Sequence, residues 1–507
     1  MVRYIAYIPF AGRPRVMAGI LLLLMSILYA TFGRVLFGNK IHSFTSSYLH
    51  TSSLSTSTVL RSPKGKKNRL EPYLLSTDVH EICEDIYQAC WEWKTNPYIR
   101  ALSVEIVLIG NELYQQLPTV GYGGIETSVD NLASALYGMG IPFWAIVPKR
   151  KEEYNMPFRV RETAMSANGK GGLVGTYVNE VNEILHDEQI KGVPIFGTVP
   201  ERAIKSIDLN KLSITSPELL PRRTFAVWGQ SMWSQHFAEN SAIDIVSHHD
   251  GGDPRKLNNG KWNWGHKNVR HRFLSYDQMS RWVVPNTENY ARDNAISRVI
   301  PHGLPRDAYR LCEDKQYYLW VASLDWGWEE KGMDIFVQMA RMRPNYKFIA
   351  YGNARARQDL VMRLYEIAKE LPNFEYRGEL KRGQTHFRMF CEATAFVMPT
   401  HESIGESFGM TVIESLSKGV PVIASTNGAV PEILAVEGRV GYSRYGTCCQ
   451  GKDYNCYAEA ADRYKGRTEA DSEAIQEYAW RMYDVNYIVD QLLNYTITAL
   501  REEKIIP

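Results

Sequence analysis

Two carboxylates, Glu406 and Glu414, bracket seven residues that include Phe408-Gly409, and Lys418-Gly-Val-Pro-Val-Ile-Ala-Ser425 follows at once. Ionised carboxylates accept hydrogen bonds and carry negative charge, so they suit sugar and ribose hydroxyls and are poor phosphate ligands. The stretch reads as a loop opening a short amphipathic helix, which Gly419 ends before a buried apolar strand. A helix start offers free backbone N–H groups and partial positive charge, so a strand-loop-helix unit of this kind suits a nucleotide diphosphate. The same acids also fit an ordinary helix start, where negative charge is mildly stabilising.

Other residues of chemical interest precede them. Gly123-Gly124-Ile125-Glu126 follows a strand and opens a helix, and paired glycines there leave no side chain between the main chain and a ligand. His248 and His249 follow the apolar strand Ile243-Asp-Ile-Val246, which puts them at a carboxyl end, where open α/β sheets bind ligands. A lone histidine there serves equally as a structural hydrogen-bonding residue. Trp262 and Trp264, in the polar segment Asn258 to Gly265, suit stacking on an acceptor sugar or packing of a domain interface.

Taken in order, these elements resemble the retaining glycosyltransferases of family 4. The donor-site signature of that family is similar to Glu406-x(7)-Glu414 with Phe408-Gly409, the Gly419-Val-Pro-Val-Ile-Ala tail and Gly428-Ala-Val-Pro-Glu432. Gly123-Gly124-Ile125-Glu126 resembles its glycine loop, and Asp244 to Asp250 the segment with its N-domain histidine, which selects His249 over His248. Val299-Ile-Pro-His-Gly-Leu304 resembles the Ile-Pro-Asn-Gly element opening the second domain, and Lys331-Gly332 the basic residue on the donor phosphates. The resemblance spans residues 104 to 485.

It implies an α/β fold of the GT-B type, two facing Rossmann-like domains with the active site in the central cleft. It implies transfer of a hexose-like sugar, with retention, from a nucleotide-diphosphate sugar to a glycan, lipid or small acceptor. Gly123, Gly124, Lys331, Glu406, Ser407, Phe408, Gly409 and Glu414 would then bind the donor. Lys331 would neutralise the leaving diphosphate, Glu406 would hold sugar hydroxyls and Glu414 the ribose. His249 would hydrogen-bond the sugar near the reacting carbon, without attacking it.

The chain departs from the family before Lys331, where Gly-Arg-Leu is replaced by Ala322-Ser323-Leu324 and the loop Asp325 to Glu330 is longer. The arginine that would join the lysine is missing; Arg355, Arg357, Arg377 and Arg382 are candidates to replace it. That departure keeps a non-catalytic sugar- or nucleotide-binding protein in view, beside a nucleotide-sugar epimerase. No Asp-x-Asp motif occurs, so no metal site and no cofactor are expected.

The elements that must position these residues begin near Val104. Val104–Ile109, Phe143–Val147, Tyr317–Ala322, Tyr346–Tyr351, Phe374–Tyr376, Ala395–Met398 and Pro421–Ala424 read as strands, Trp282–Pro285 as another, and Glu126–Tyr137 as a helix. Strands alternating with helices argue for parallel sheets. The expected organisation is an N-terminal segment (1–70), a helical lead-in (71–99), an N-terminal domain (100–297), a donor domain (298–480) and a terminal helix crossing back (481–507), with Ser472 to Leu500 helical.

At 507 residues the chain is long enough for two cores. Its net charge of +2 asks for no nucleic-acid partner. Residues 1–70 hold no acid, and Val16 to Gly33 is an uncharged apolar run near the minimum for a membrane helix, followed by a Ser/Thr-rich stretch. This reads as a single-pass anchor with a stem, placing the chain in the Golgi or endoplasmic reticulum, or as a cleaved signal and transit peptide for an organelle.

Seven cysteines leave at least one unpaired within the chain. Asp78 to Trp93 reads as one helix, along which Cys83 and Cys90 are too far apart to bond, so they would pack or pair elsewhere. Cys448, Cys449 and Cys456 cluster in a Gly/Tyr-rich loop without the histidine or second Cys pair of a zinc site. The sequon Asn494-Tyr-Thr496 has meaning only in a lumenal chain.

Overall fold

Near-continuous apolar strands joined by amphipathic helices require sheets covered on both faces, and two such sheets form. The computed structural model describes Cys83, Leu117, Leu311 and residues 86–110, 124–149, 155–166, 174–190, 224–230, 241–249, 268–283, 290–306, 315–354, 357–379 and 384–507. All lie within one unit, Asn68–Pro507.

The first sheet contains β1 (Val104–Ile109), β2 (Phe143–Lys149), β3 (Val160–Ser166), β4 (Thr224–Gly229), β5 (Ile243–Ser247), β6 (Val269–Phe273) and β7 (Ser297–Val299). Their order is β3-β2-β1-β4-β5-β6-β7, parallel throughout. The second contains β8 (Tyr317–Val321), β9 (Phe348–Tyr351), β10 (Phe374–Tyr376), β11 (Ala393–Met398), β12 (Val422–Ser425), β13 (Gly441–Tyr442) and β14 (Gly446–Cys449). Its order is β10-β9-β8-β11-β12-β14-β13, with only the β13–β14 pair antiparallel. The parallel strands of each sheet reverse their order in mid-sheet, between β1 and β4 and between β8 and β11. Doubly wound sheets bind ligands at the carboxyl ends of the strands beside such reversals.

Alternation within the strands assigns each side chain to a layer. Ile106 and Leu108 of β1 join Val129, Leu132 and Leu136 of the helix Gly124–Gly138. Val107 and Ile109 face the other way, toward Tyr177, Val181 and Leu185 of the helix Val174–Ile190. In the second sheet Leu319, Phe396 and Val422 pack on Ile413 and Leu416, while Trp320, Val397 and Ile423 pack on Phe336 and Tyr457.

The C-terminal stretch is two helices, Glu469–Tyr483 and Val485–Glu502, broken at Asp484. Ile475, Tyr478 and Ala479 of the first pack in the second domain's core. Ile488, Val489, Leu492, Leu493, Ile497 and Leu500 of the second belong to the first sheet's core. Burying an aliphatic side chain of that size is worth about 1.5–3 kcal/mol, so this helix is integral to the first domain. Leu304 N–H donates to Tyr483 O (2.8 Å) and Val485 N–H to Leu304 O (2.9 Å), so the chain's two passages between domains run side by side.

Three expectations are corrected. Trp282 ends a helix, Tyr276–Trp282, for which Ser275 supplies the N-cap by accepting from Gln278 N–H. Cys83 and Cys90 form a disulfide (2.09 Å), because the helix starts only at Gln88, after Tyr87 departs from helical geometry. The cluster 448–456 is a strand and a helix, not a loop: Cys449 on β14 bonds Cys456 on the helix Tyr454–Tyr464 (2.04 Å), and Cys391 is also disulfide-bonded. Among the described residues Cys448 is the free cysteine, buried, with its thiol pushed up to about 12 by desolvation. Also among the described residues, no helix is long and apolar enough to cross a membrane; Val16 to Gly33 lies outside them.

Candidate functional site

The strand β8 leads to Lys331 and β11 to Glu406, the two flanks of the second sheet's reversal. Lys331 Nζ lies 3.1 Å from Glu406 Oε1, and both side chains are largely buried, 14% and 20% exposed. Trp320 Nε1–H donates to Lys331 O (3.0 Å), which ties the lysine's backbone to the sheet. The next residue, Gly332, has φ +66, and a Cβ there would sit 2.1 Å from Pro399 O. Only glycine lets the lysine loop approach the end of β11 so closely.

The Glu406 loop is held as tightly. Glu406 O accepts from Ala429 N–H (3.0 Å), and Glu406 N–H donates to Asn427 Oδ1 (3.4 Å). Asn427 in turn donates to His401 O (2.9 Å). Gly428 adopts φ +54, and its Cβ would fall 1.9 Å from Glu406 O. Gly409, at φ +96, turns the chain into the helix Met410–Leu416, on which Glu414 is buried.

Across the cleft, Ser407 Oγ–H donates to His249 O (2.7 Å) and Ser275 Oγ–H to Ser407 O (3.0 Å). Gly124 opens its helix beside Met410; a Cβ on it would lie 3.5 Å from Met410 Cγ. His249 stacks on His302 with ring centroids 5.1 Å apart and planes 11° apart. Both His249 ring nitrogens are sealed from solvent and lack a hydrogen-bond partner among the described residues. Burial, then the charge of Arg272, pulls its pKa down to about 3, so the ring is neutral. His248 points into the core, 2.9 Å from His271 and stacked on Phe273, and is neutral too, at about 3, through burial.

The structure thus gathers Gly124, His249, Lys331, Glu406, Ser407, Phe408 and Gly409. Gly123, Trp262 and Trp264 lie outside the described residues. Phe408 is buried and meets His302 and Tyr483 edge-on (5.4 and 5.7 Å), so its ring packs the domain junction. Ser323 caps the turn Leu324–Trp326 by accepting from Asp325 N–H. Of the candidate arginines, Arg357 is paired with Asp359, and Arg377 with Glu375 and the Tyr351 hydroxyl. Arg355 and Arg382 lie outside the described residues.

Residues beyond those expected complete the junction. Arg272, fully buried on β6, donates to Ile300 O (2.8 Å) and Pro301 O (2.6 Å), and burial lowers its pKa to about 9. Its signal was a basic pair inside the apolar-flanked run Val269-Arg-His-Arg-Phe273. Glu432 accepts from Tyr276 and Asp277 N–H groups (3.0 and 3.2 Å), capping a helix of the other domain, and Arg439 bonds Asp277 (2.9 Å). Burial raises the Glu432 pKa.

Two doubly wound sheets with a lysine–glutamate pair at one reversal and a histidine opposite define the GT-B class of fold. Residues 315–464 match the family model described as glycosyl transferases group 1. No curated protein matches. Among solved structures, a glycosyltransferase from Rickettsia africae is similar at 15% identity (TM-score 0.56, 78% of this chain and 99% of that one). Sucrose-phosphate synthase from Thermosynechococcus elongatus is similar at 14% (0.56, 78% and 99%). Anabaena HepE in complex with UDP is similar at 13% (0.53, 78% and 100%). At such identities these likenesses establish the fold.

Proposed function

We propose that this protein is a retaining glycosyltransferase that moves a hexose-like sugar from a nucleotide-diphosphate sugar to a glycan, lipid or small acceptor. The observation that carries the reading is the largely buried Lys331–Glu406 pair at the reversal of the second sheet, opposite His249, whose ring nitrogens have no hydrogen-bond partner among the described residues. Departure of a nucleoside diphosphate builds negative charge, and a fixed ammonium in a desolvated cleft stabilises it far better than water does. Lys331 takes that role, and Glu406 turns its acceptor oxygens to the sugar hydroxyls. Glu414 serves the ribose, and the neutral His249 hydrogen-bonds the sugar beside the anomeric carbon. The transition state is oxocarbenium-like, and no covalent sugar–enzyme intermediate is assigned.

Because Lys331 supplies the positive charge and no Asp-x-Asp motif is present, the reaction proceeds without a divalent ion. The His249 nitrogens are covered in this state, so the cleft opens to admit the donor. UDP-glucose is the first donor to try, since HepE has been solved with it. The disulfides Cys83–Cys90 and Cys449–Cys456 suit an oxidising compartment. With the apolar run Val16 to Gly33 they support a membrane-anchored protein of the secretory pathway.

The test is nucleotide release by the purified protein from a panel of UDP- and GDP-sugars with EDTA present. Release from one donor, lost in Glu406→Ala and Lys331→Ala, supports the reading. Tight binding of a sugar nucleotide with no release, with or without acceptor glycans, would favour a non-catalytic binding protein instead. Ser323 in place of arginine, with Arg357 and Arg377 committed elsewhere, is the observation behind that second reading.

A further inference from the structure

The second domain opens at a histidine where the element it resembles has asparagine. His302 is 3% exposed, and its ring is fixed from three directions. Nδ1 lies 2.6 Å from Ser128 Oγ, the edge of Phe408 meets it at 80°, and one face lies flat on His249. The backbone is fixed as well. Asn131 Nδ2–H donates to Gly303 O (2.9 Å), and a Cβ on Gly303 would sit 2.6 Å from Val485 Cα. Ser128 and Asn131 are one turn apart on the helix that follows the glycine loop, so that helix grips two consecutive residues of the crossover.

A histidine is usually oriented by a hydrogen bond to one ring nitrogen, which spends that nitrogen. His249 has no such bond among the described residues. We propose that His302 is a positioning residue for His249, setting its ring plane through the stacked face and leaving both nitrogens for substrate hydroxyls. Asparagine at 302 offers no ring to stack on, so the substitution matters to this chain in particular. Burial keeps both imidazoles uncharged at neutral pH, so no charge repulsion opposes the stack. The catalytic consequence rests on the glycosyl-transfer reading above; the stack itself does not.

The full-length protein labelled at histidine Cε1 tests this by NMR, with His249→Asn identifying the His249 signal. The expected result is a ring-current-shifted His249 resonance that His302→Phe preserves and His302→Asn abolishes. With the donor found above, His302→Asn lowers kcat about tenfold with KM within about twofold, while His302→Phe stays within about threefold of the parent. An unchanged resonance and kcat in His302→Asn overturns the proposal. So does His302→Phe losing as much as His302→Asn, because the Ser128 contact rather than the face would then matter. If the parent releases nucleotide from no donor, the transfer reading fails and the resonance alone decides the stack. If His302→Asn does not fold, His302→Leu, which fills the same space without an aromatic face, stands in; loss of the His249 ring-current shift is expected, and an unaltered shift overturns the proposal.

Discussion

At the residue scale, the question is what Lys331 and Glu406 do for each other and for a ligand. Each is the other's counter-ion in a mostly buried place, so a donor must compete for both. Lys331→Ala and Glu406→Gln are each expected to lower nucleotide release by about 10²–10³-fold at saturating donor, the scale of losing one electrostatic stabiliser. A coupled assay of the free nucleotide measures it, and a change under threefold in either would remove that residue from the mechanism. Both residues were legible in the sequence because each lies in a spaced motif. The use of Ser407 and Phe408 was not. Their neighbours suggest ligand contacts, yet Ser407 Oγ bonds His249 O and Phe408 packs on Tyr483, contacts between residues 75 to 158 positions apart that no local pattern encodes.

At the element scale, the two glycine turns hold the Lys331 and Glu406 loops against the sheet. Gly332→Ala combines a left-handed backbone, about 1–2 kcal/mol, with overpacking against Pro399 O, about 1–3 kcal/mol. A loss of about 2–5 kcal/mol in urea unfolding is expected; Gly438→Ala, at φ +69 with nothing near its Cβ, bears only the backbone part. A second prediction concerns the terminal helix. Thr496 is fully buried and accepts from Trp228 Nε1–H (3.1 Å), so Thr496→Val strands a buried donor at about 1–3 kcal/mol. Equal stability of the two proteins would show that the indole finds another partner. The same burial takes the hydroxyl of the Asn494 sequon out of reach once the helix has formed. The strands rich in β-branched and aromatic residues were readable from sequence. The helix Tyr276–Trp282 was not, since seven residues carry too little period, and its Ser275 cap and Glu432 partner are settled by tertiary contacts.

At the scale of the whole molecule, a buried histidine cluster links stability to pH. His248 and His249 are held near about 3, and His271 and His302 well below their ordinary value, each mainly by desolvation. Groups with depressed folded pKa contribute stability above the unfolded value, near 6.5, and lose it as pH falls toward the folded one. In that window the unfolded chain binds more protons, at about 1.4 kcal/mol per pH unit for each histidine titrating only when unfolded. The urea midpoint is therefore expected to fall steeply from pH 7 to pH 5, and less steeply in His248→Phe. A flat profile would mean that these rings protonate within the fold. The two-domain architecture was legible because motif order and strand–helix alternation agree. The cluster was not, since its members come from the residues just after β5, from β6 and from the crossover.

The helix Val485–Glu502 also sets when the first domain can close. The first domain's core draws Ile488, Leu492 and Leu493 from the end of the chain, and Cys90 N–H donates to Asp490 Oδ1 (2.8 Å), 400 residues away. During synthesis the first domain therefore waits, with one sheet face covered only in part by the helix Gly124–Gly138, until Val485–Glu502 has left the ribosome. Contacts this distant in sequence close late and leave apolar surface exposed meanwhile. Closure of the first domain is then a late step, even though its first strands are made early.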